Sequence, residues 1–315
     1  MKPTVPPKPG SARDFRVLAL VCLAATWSLV ALVNGLLVHN AAEEAREAAR
    51  NTAAMSAAYV RQSLDAGRLV LHGMQALLIE KGVQDEAGYR AFLEGPTATQ
   101  VLRDRIANLE EIDKAAFIAP TGEILNFSVV YPPPPINVAD RDYFREQMGD
   151  APPVRSLSAA MLDRSSGKWT FFLAQRVERG AVRAALLAQD RGAGEALQGR
   201  PFGLAIVGFR AHLVSDFLGH NRLGAGRAVV LLRDDNVVLA GAGVPPAAYG
   251  QELRLDGQTL LASEPVAGFP ARIAVLGGPV DRMKVLRLAL PASLALGALA
   301  SFAILFALWR TRRGA

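Results

Sequence analysis

At 315 residues, 51% hydrophobic and only 20% charged, the chain is too apolar for a disordered protein and long enough for two domains with cores of their own. The net charge of +6 and the pI near 9.8 do not mark a nucleic-acid partner: residues 39–287 hold 28 Lys and Arg against 28 Asp and Glu, and the excess sits in the two ends. The single cysteine, Cys22, excludes a disulfide framework and a thiolate metal site.

Residues 1–16 carry four prolines among small and basic residues and read as a short cytoplasmic tail. Residues 17–38 are uncharged, and at 1.5 Å per residue they span roughly 33 Å, enough to cross a bilayer and longer than a signal-peptide core. A second uncharged run, residues 288–309, has the same length, with Pro291 expected in its first turn. Lys2, Lys8, Arg13 and Arg16 precede the first run, and Arg310, Arg312 and Arg313 follow the second. The positive-inside rule then predicts a two-pass protein with both termini in the cytoplasm and residues 39–287 outside.

Between the runs, residues 39–84 read as one long helix, rich in Ala, Glu, Arg and Leu and free of proline. Met55, Val60, Leu64, Leu71, Met74 and Leu78 form an apolar stripe for a domain or a twin helix to cover. A hairpin follows, Ala115–Ala119 and Glu123–Ser128 about the turn Pro120-Thr121-Gly122. Tyr131 and Pro132–Pro135 make a stiff loop that could lid a pocket. A short helix at Arg141–Met148 has Asp140 as its expected N-cap. Strands are expected at Ser156–Met161, Trp169–Arg176, Val182–Gln189 and Phe202–Phe209, with a turn at Arg164–Lys168. Which of the last two closes the sheet is left open. A smaller unit of the same kind follows: a helix at His212–Gly219, a hairpin Ala228–Arg233 and Val237–Ala240 about Asp234-Asp235-Asn236, and strands Gln258–Pro265 and Ala271–Leu276.

The segment Asp140-Arg141-Asp142-Tyr143-Phe144, followed by Ser158-Ala159-Ala160 and Ser166-Gly167-Lys168-Trp169, resembles the double Cache (PAS-like) sensor domains of bacterial histidine kinases, chemoreceptors and diguanylate cyclases. Val229–Leu239 and Ser263–Pro270 fit the second unit of that family, and the resemblance covers roughly residues 39–287. It implies an α+β fold: a long N-terminal helix and two tandem Cache subdomains, 85–209 distal and 210–287 proximal to the membrane, flanked by two transmembrane helices. It also implies an inner-membrane sensor with a periplasmic ligand domain, a homodimer through the 39–82 helix, and no enzyme or cofactor in this chain. The chain ends six residues after the second apolar run, without a kinase His box or a Gly-Gly-Asp-Glu-Phe motif. Output is expected from a signalling partner or from a cyclase or kinase domain absent here. A membrane-anchored scaffold that binds nothing small is the rival reading.

The ligand contacts implied are Arg141, whose guanidinium can hold a carboxylate bidentately, and Tyr143, whose phenol adds a hydrogen bond. Phe127, Ser128, Lys168 and Trp169 are the expected pocket neighbours. The amino-acid-binding branch of the family carries Arg-x-Trp-Tyr and a later acidic residue. Here Asp142, Tyr143 and Phe144 follow Arg141, so an amino acid is in question and a small carboxylate stays open. The blander account has Asp140 capping a helix, Phe144 and Trp169 in the core and Arg141 paired on the surface. His212, Asp216 and His220 recur at i, i+4, i+8 and are a weak metal candidate, since the end residues stand about 12 Å apart on a straight helix. No Walker loop, nucleophile elbow or zinc-protease motif is present.

Overall fold

A single helix, α1 (Ala12–Glu80), runs from the first apolar segment through the predicted long helix to within four residues of its expected end, as an Ala- and Leu-rich sequence without proline allows. The computed structural model describes residues 12–83, 85–177, 201–220, 227–255, 257–277 and 280–313. The expected strand Val182–Gln189 lies outside them. The helix stops in a Schellman motif: Gly82 adopts φ +69°, its N–H reaches the Ile79 carbonyl, and Val83 N–H reaches that of Leu78. Two compact units form, Met1–Ala48 with Gly278–Ala315, and Ala49–Gly277.

In the larger unit, α1 is followed by α2 (Glu86–Leu93) and α3 (Pro96–Ile106), two helices that the sequence reading missed. The Asp85 side chain caps α2 by accepting from Gly88 N–H, and Pro96 opens α3 at a position where a missing N–H costs nothing. Then come β1 (Ile112–Ile118), β2 (Ile124–Phe127), α4 (Asp142–Met148), β3 (Ser156–Leu157), β4 (Met161–Leu162), β5 (Trp169–Val177) and β6 (Gly203–Arg210). The expected strand 156–161 is thus two short edge pieces, both on β5. The antiparallel sheet has the order β2-β1-β6-β5-β3, so the segment near Phe202–Phe209 is a central strand and no closing edge.

Strand alternation divides this first sheet into two faces. Ala115, Phe117, Phe171, Leu173, Val207 and Phe209 pack with α1 in one core, whereas Ala116, Ile118, Phe172, Ala174, Leu204 and Ile206 pack with Tyr143 and Phe144 in another. The predicted stripe on α1 is spent on the first core: Val60, Leu64, Leu71, Met74 and Leu78 are buried, and only Met55 is exposed. A twin helix would therefore have to use the opposite face. Helix and sheet meet tightly at Gly67, where an added Cβ would collide with the Phe209 ring.

The second sheet is built from β7 (Arg227–Arg233), β8 (Val238–Ala242), β9 (Thr259–Pro265) and β10 (Ala271–Gly277), antiparallel in the order β8-β7-β10-β9. α5 (Ala211–His220) leads into it and stacks Phe217 on Tyr59 of α1 at 3.4 Å. Asn236, at φ +67°, supplies the left-handed residue of the β7–β8 turn, a conformation Asn tolerates.

The smaller unit joins the start of α1 to α6 (Val280–Arg313). Both helices hold stretches long and apolar enough to cross a membrane, and Leu20, Leu29, Leu296 and Phe302 are exposed on them. Such a surface is a liability in water and the favoured state in hydrocarbon. Asn34 and Ser293 exchange hydrogen bonds between the helices, with Asn34 Nδ2 donating at 2.9 Å and Ser293 Oγ at 3.2 Å, while Gly297 lets Trp27 and Val30 approach. α6 begins at Val280, so Pro291 is an interior proline and not a first-turn one.

Candidate ligand-binding cavity

The second face of the first sheet carries a cavity. Its floor is Ala116, Ile206 and Phe172; Ile124, Phe127, Ile136 and Val138 wall one side; Arg141 and Tyr143 form the rim of α4; Met161 and the turn Asp163–Ser165 lie across it. Its volume is only about 30 Å³, room for one or two waters. Drug-sized ligands need roughly 300 Å³ or more, so admission of a ligand requires this wall to move.

Two polar groups on lining residues make no hydrogen bond or ion pair among the described residues, although the Arg141 charge acts on Asp140 and Tyr143. One is the half-buried Arg141 guanidinium; the other is the hydroxyl of the buried Tyr143. Burial pushes the Tyr143 phenol well above its usual range, although Arg141 acts against this, so it stays protonated and can donate. The blander account holds for Phe144, which is buried in the core, but not for Arg141 or Asp140. Asp140 does not cap α4: the N-cap is Arg141, without a side-chain hydrogen bond, and the Asp140 carboxylate is taken bidentately by Arg164 at 2.7 and 3.0 Å. That ion pair, with an Arg164 bond to the Asn137 carbonyl, fastens the 163–168 turn over the cavity.

The turn is fastened from inside as well. Lys114, with only 3% of its side chain exposed, alternates onto the cavity face of β1 and donates to Asp163 Oδ2 at 2.6 Å and Ser165 Oγ at 2.7 Å. Asp163 Oδ2 also accepts from the N–H and hydroxyl of both Ser165 and Ser166 at 2.5–3.0 Å. Lys114 lies 2.9 Å from Asp113, which pairs with Arg210 at 3.0 Å, so charges alternate along Arg210, Asp113, Lys114 and Asp163. Burial pushes both carboxyls up, but the hydrogen bonds and charges of Lys114, together with Arg210 or the serines, more than offset this and hold both below the usual carboxylate range. Lys114 also stands 5.7 Å from the Phe127 ring centroid, within cation–π reach.

Asp142 points the other way. Its Oδ1 accepts from Tyr143 N–H, and its Oδ2 accepts from Ala159 N–H at 2.8 Å and from Arg233 Nη1 at 2.9 Å. Arg233 ends β7, is held bidentately by Asp235 and also donates to the Leu157 carbonyl. A residue flanked by both cavity hooks is thereby bonded to the second sheet.

The expected site residues divide. Arg141, Tyr143 and Phe127 share the cavity. Ser128 does not reach it; it is buried, and its Oγ accepts from Ala115 N–H. Lys168 and Trp169 line a separate open cleft of about 570 Å³ with His212, Asp216 and Tyr249: Lys168 lies in the turn before β5, and Trp169, an odd position of β5, points away from the face on which Phe172 meets the cavity. Trp169 is half-buried, edge-on to Tyr249, and not fully in the core. Tyr131 is exposed and off the cavity wall, so it is no lid. His212, Asp216 and His220 do not form a metal set: His220 Nδ1 lies 2.7 Å from the Asp216 carbonyl, and among the described residues no three His, Cys, Asp or Glu side chains converge on one ion site.

Lys114, Asp163 and Arg233 were missed. A lysine at the head of the apolar run Ala115–Ile118 and an Asp before Arg-Ser-Ser-Gly were visible, the second as an Asx-turn signal. Their pairing across 49 residues was not.

No family profile and no curated protein matches the chain. Solved structures do. The extracellular domain of rpHK1S-Z16, assigned as a histidine kinase, superposes with a TM-score of 0.58 at 18% identity, covering 76% of this chain and 97% of that one. The ligand-binding domain of the Pseudomonas aeruginosa PAO1 amino acid chemoreceptor PctB gives 0.51 at 12% identity, covering 73% of this chain and 94% of that one in its L-Arg complex, and 78% and 96% in its L-Gln complex. These are extracellular or ligand-binding domains, not catalytic ones. Mixed helix and sheet, a long N-terminal helix with two antiparallel sheets: the chain has the fold of the double Cache sensor domains.

Proposed function

We propose that the chain is an inner-membrane sensor whose extracytoplasmic domain binds a small carboxylate in the cavity of the first sheet. The observation that carries this reading is the convergence of an unpartnered guanidinium, Arg141, and an unpartnered hydroxyl, Tyr143, on one apolar-walled cavity. A carboxylate held bidentately would supply the missing partner. Its entry displaces the 163–168 turn, and the Asp142–Arg233 bond carries the displacement into the second sheet, whose last strand precedes α6 in the chain. The span orientation expected from the basic ends, cytoplasmic termini and an outer domain, fits this use of the two apolar helices. Output then belongs to a partner or to a further domain such as a cyclase or kinase. A homodimer would use the exposed face of α1 around Met55 and Leu69.

One observation favours the rival scaffold reading, the 30 Å³ volume of the cavity. A single experiment separates the two: thermal unfolding of the full chain in lipid nanodiscs against small carboxylates, amino acids, amines and purines, repeated with Arg141→Ala. A binder at a hundred times its Kd adds about 2.7 kcal/mol of stability, a clear rise in Tm, which Arg141→Ala should abolish. A folded chain that no compound stabilises is a scaffold.

A further inference from the structure

The cavity has charged groups enough for a zwitterion, yet only one charge is left over. Asp163 is the sole carboxylate on its wall among the described residues, and Lys114 stands 2.6 Å from it. Arg164, the third basic wall residue after Lys114 and Arg141, is paired with Asp140. The Lys114–Asp163 pair is balanced in turn by Asp113 and Arg210. Asp163 Oδ1 can still accept a hydrogen bond, but as half of a neutral pair whose counter-charge is already built in. What remains is the positive charge of Arg141 beside the Tyr143 hydroxyl, set among Ile136, Val138 and Phe172.

We infer that Lys114 is a specificity-determining residue: by occupying Asp163 it leaves the cavity selective for a monoanionic carboxylate with an apolar body and no ammonium group. The inference rests on the proposed carboxylate site and narrows it. An amino acid entering with its carboxylate on Arg141 would bring an ammonium into a site with no uncompensated negative charge, where a desolvated ion is penalised heavily.

The test is a set of matched pairs on the full chain in nanodiscs: propionate with alanine, 4-methylpentanoate with leucine, 3-phenylpropionate with phenylalanine. At least one deamino acid should bind ten or more times more tightly than its amino acid by calorimetry. Lys114→Met should erase or reverse that preference by exposing the Asp163 charge, while Lys114→Met/Asp163→Asn, a neutral wall, should keep it. The double variant carries this arm should the single one not fold. Amino acids binding as tightly as their partners would overturn the inference and leave the sensor standing. A folded Lys114→Met chain with unchanged preference would overturn the role of Lys114. Binding of neither series would remove the carboxylate site, and this inference with it.

Discussion

The two sheets of the outer domain are built alike, antiparallel with helices packed on them, and their interiors differ in kind. Between residues 114 and 176 the described chain buries nine polar or charged side chains, among them Lys114, Asn126, Gln147 and Arg176; between residues 203 and 277 it buries none. Buried polar groups cost stability unless every one is satisfied, so a sheet that carries many of them is built for something besides packing. Several are tied down: Gln147 joins α4 to Pro153, Ser156 and Arg176, and Asn126 joins β2 to the Leu93 and Gly95 carbonyls. The second sheet is packed with Val, Leu, Ile and Ala and can move as a stiff plate. Under the proposed function, the first sheet has a site to hold in shape and the second a displacement to pass on.

The largest effect that would sharpen this contrast is expected from Lys114→Ala. Two half-buried carboxylates would lose the buried cation they share, and unfolding by urea should report a loss of about 3–5 kcal/mol. Gly67→Ala should cost about 1–3 kcal/mol, since its Cβ drives into Phe209 and the sheet must retreat from α1. A cost near zero would show that helix and sheet are not in rigid contact. Arg233→Ala should cost about 1.5–3 kcal/mol by removing the charged hydrogen bond to Asp142. A double-mutant cycle with Asp142→Ala should return a coupling of about 0.5–3 kcal/mol, and a coupling of zero would cut the proposed path between the sheets.

Two smaller effects follow from the turn over the cavity. Asp113 and Asp163 have depressed pKa values in the folded chain, so the unfolded chain binds their protons more readily. Their contribution is fully present above the unfolded value near 4 and is lost as pH falls below it through the folded values. Urea midpoints between pH 6 and 3 should drop at the acid end, and less steeply in Lys114→Met/Asp163→Asn. Arg164→Ala should leave Tm nearly unchanged, as exposed pairs do, yet loosen the turn. With Cys22→Ser and a reporter Met161→Cys, thiol labelling of the cavity should be faster in the Arg164→Ala chain. Equal rates would mean that the outer ion pair does not fasten the turn.

Much of this architecture was legible before any coordinates. Continuous apolar runs such as Phe171–Ala174 and Ala228–Leu232 announced their strands, the turn Asp234-Asp235-Asn236 its reversal, and two uncharged stretches of 22 residues the helices of the smaller unit, whereas the helix stop at Gly82 was passed over. The motif Arg141–Tyr143 was legible as well, because a charged residue beside an aromatic one at the head of a short helix stands out locally. α2 and α3 were missed: eight and eleven residues long, they are too short for periodicity to separate from a loop.

Local pattern, chain direction and hydrophobic period are properties of neighbours in sequence, and they marked most of the elements and one half of the candidate site. Only the tertiary structure decided that Lys168 and Trp169 leave Arg141 for another cleft, that Asp140 is spent on Arg164, and that Lys114 meets Asp163. The physical reason is that strand register turns single positions to one face or the other, and long-range pairing then chooses which charges cancel.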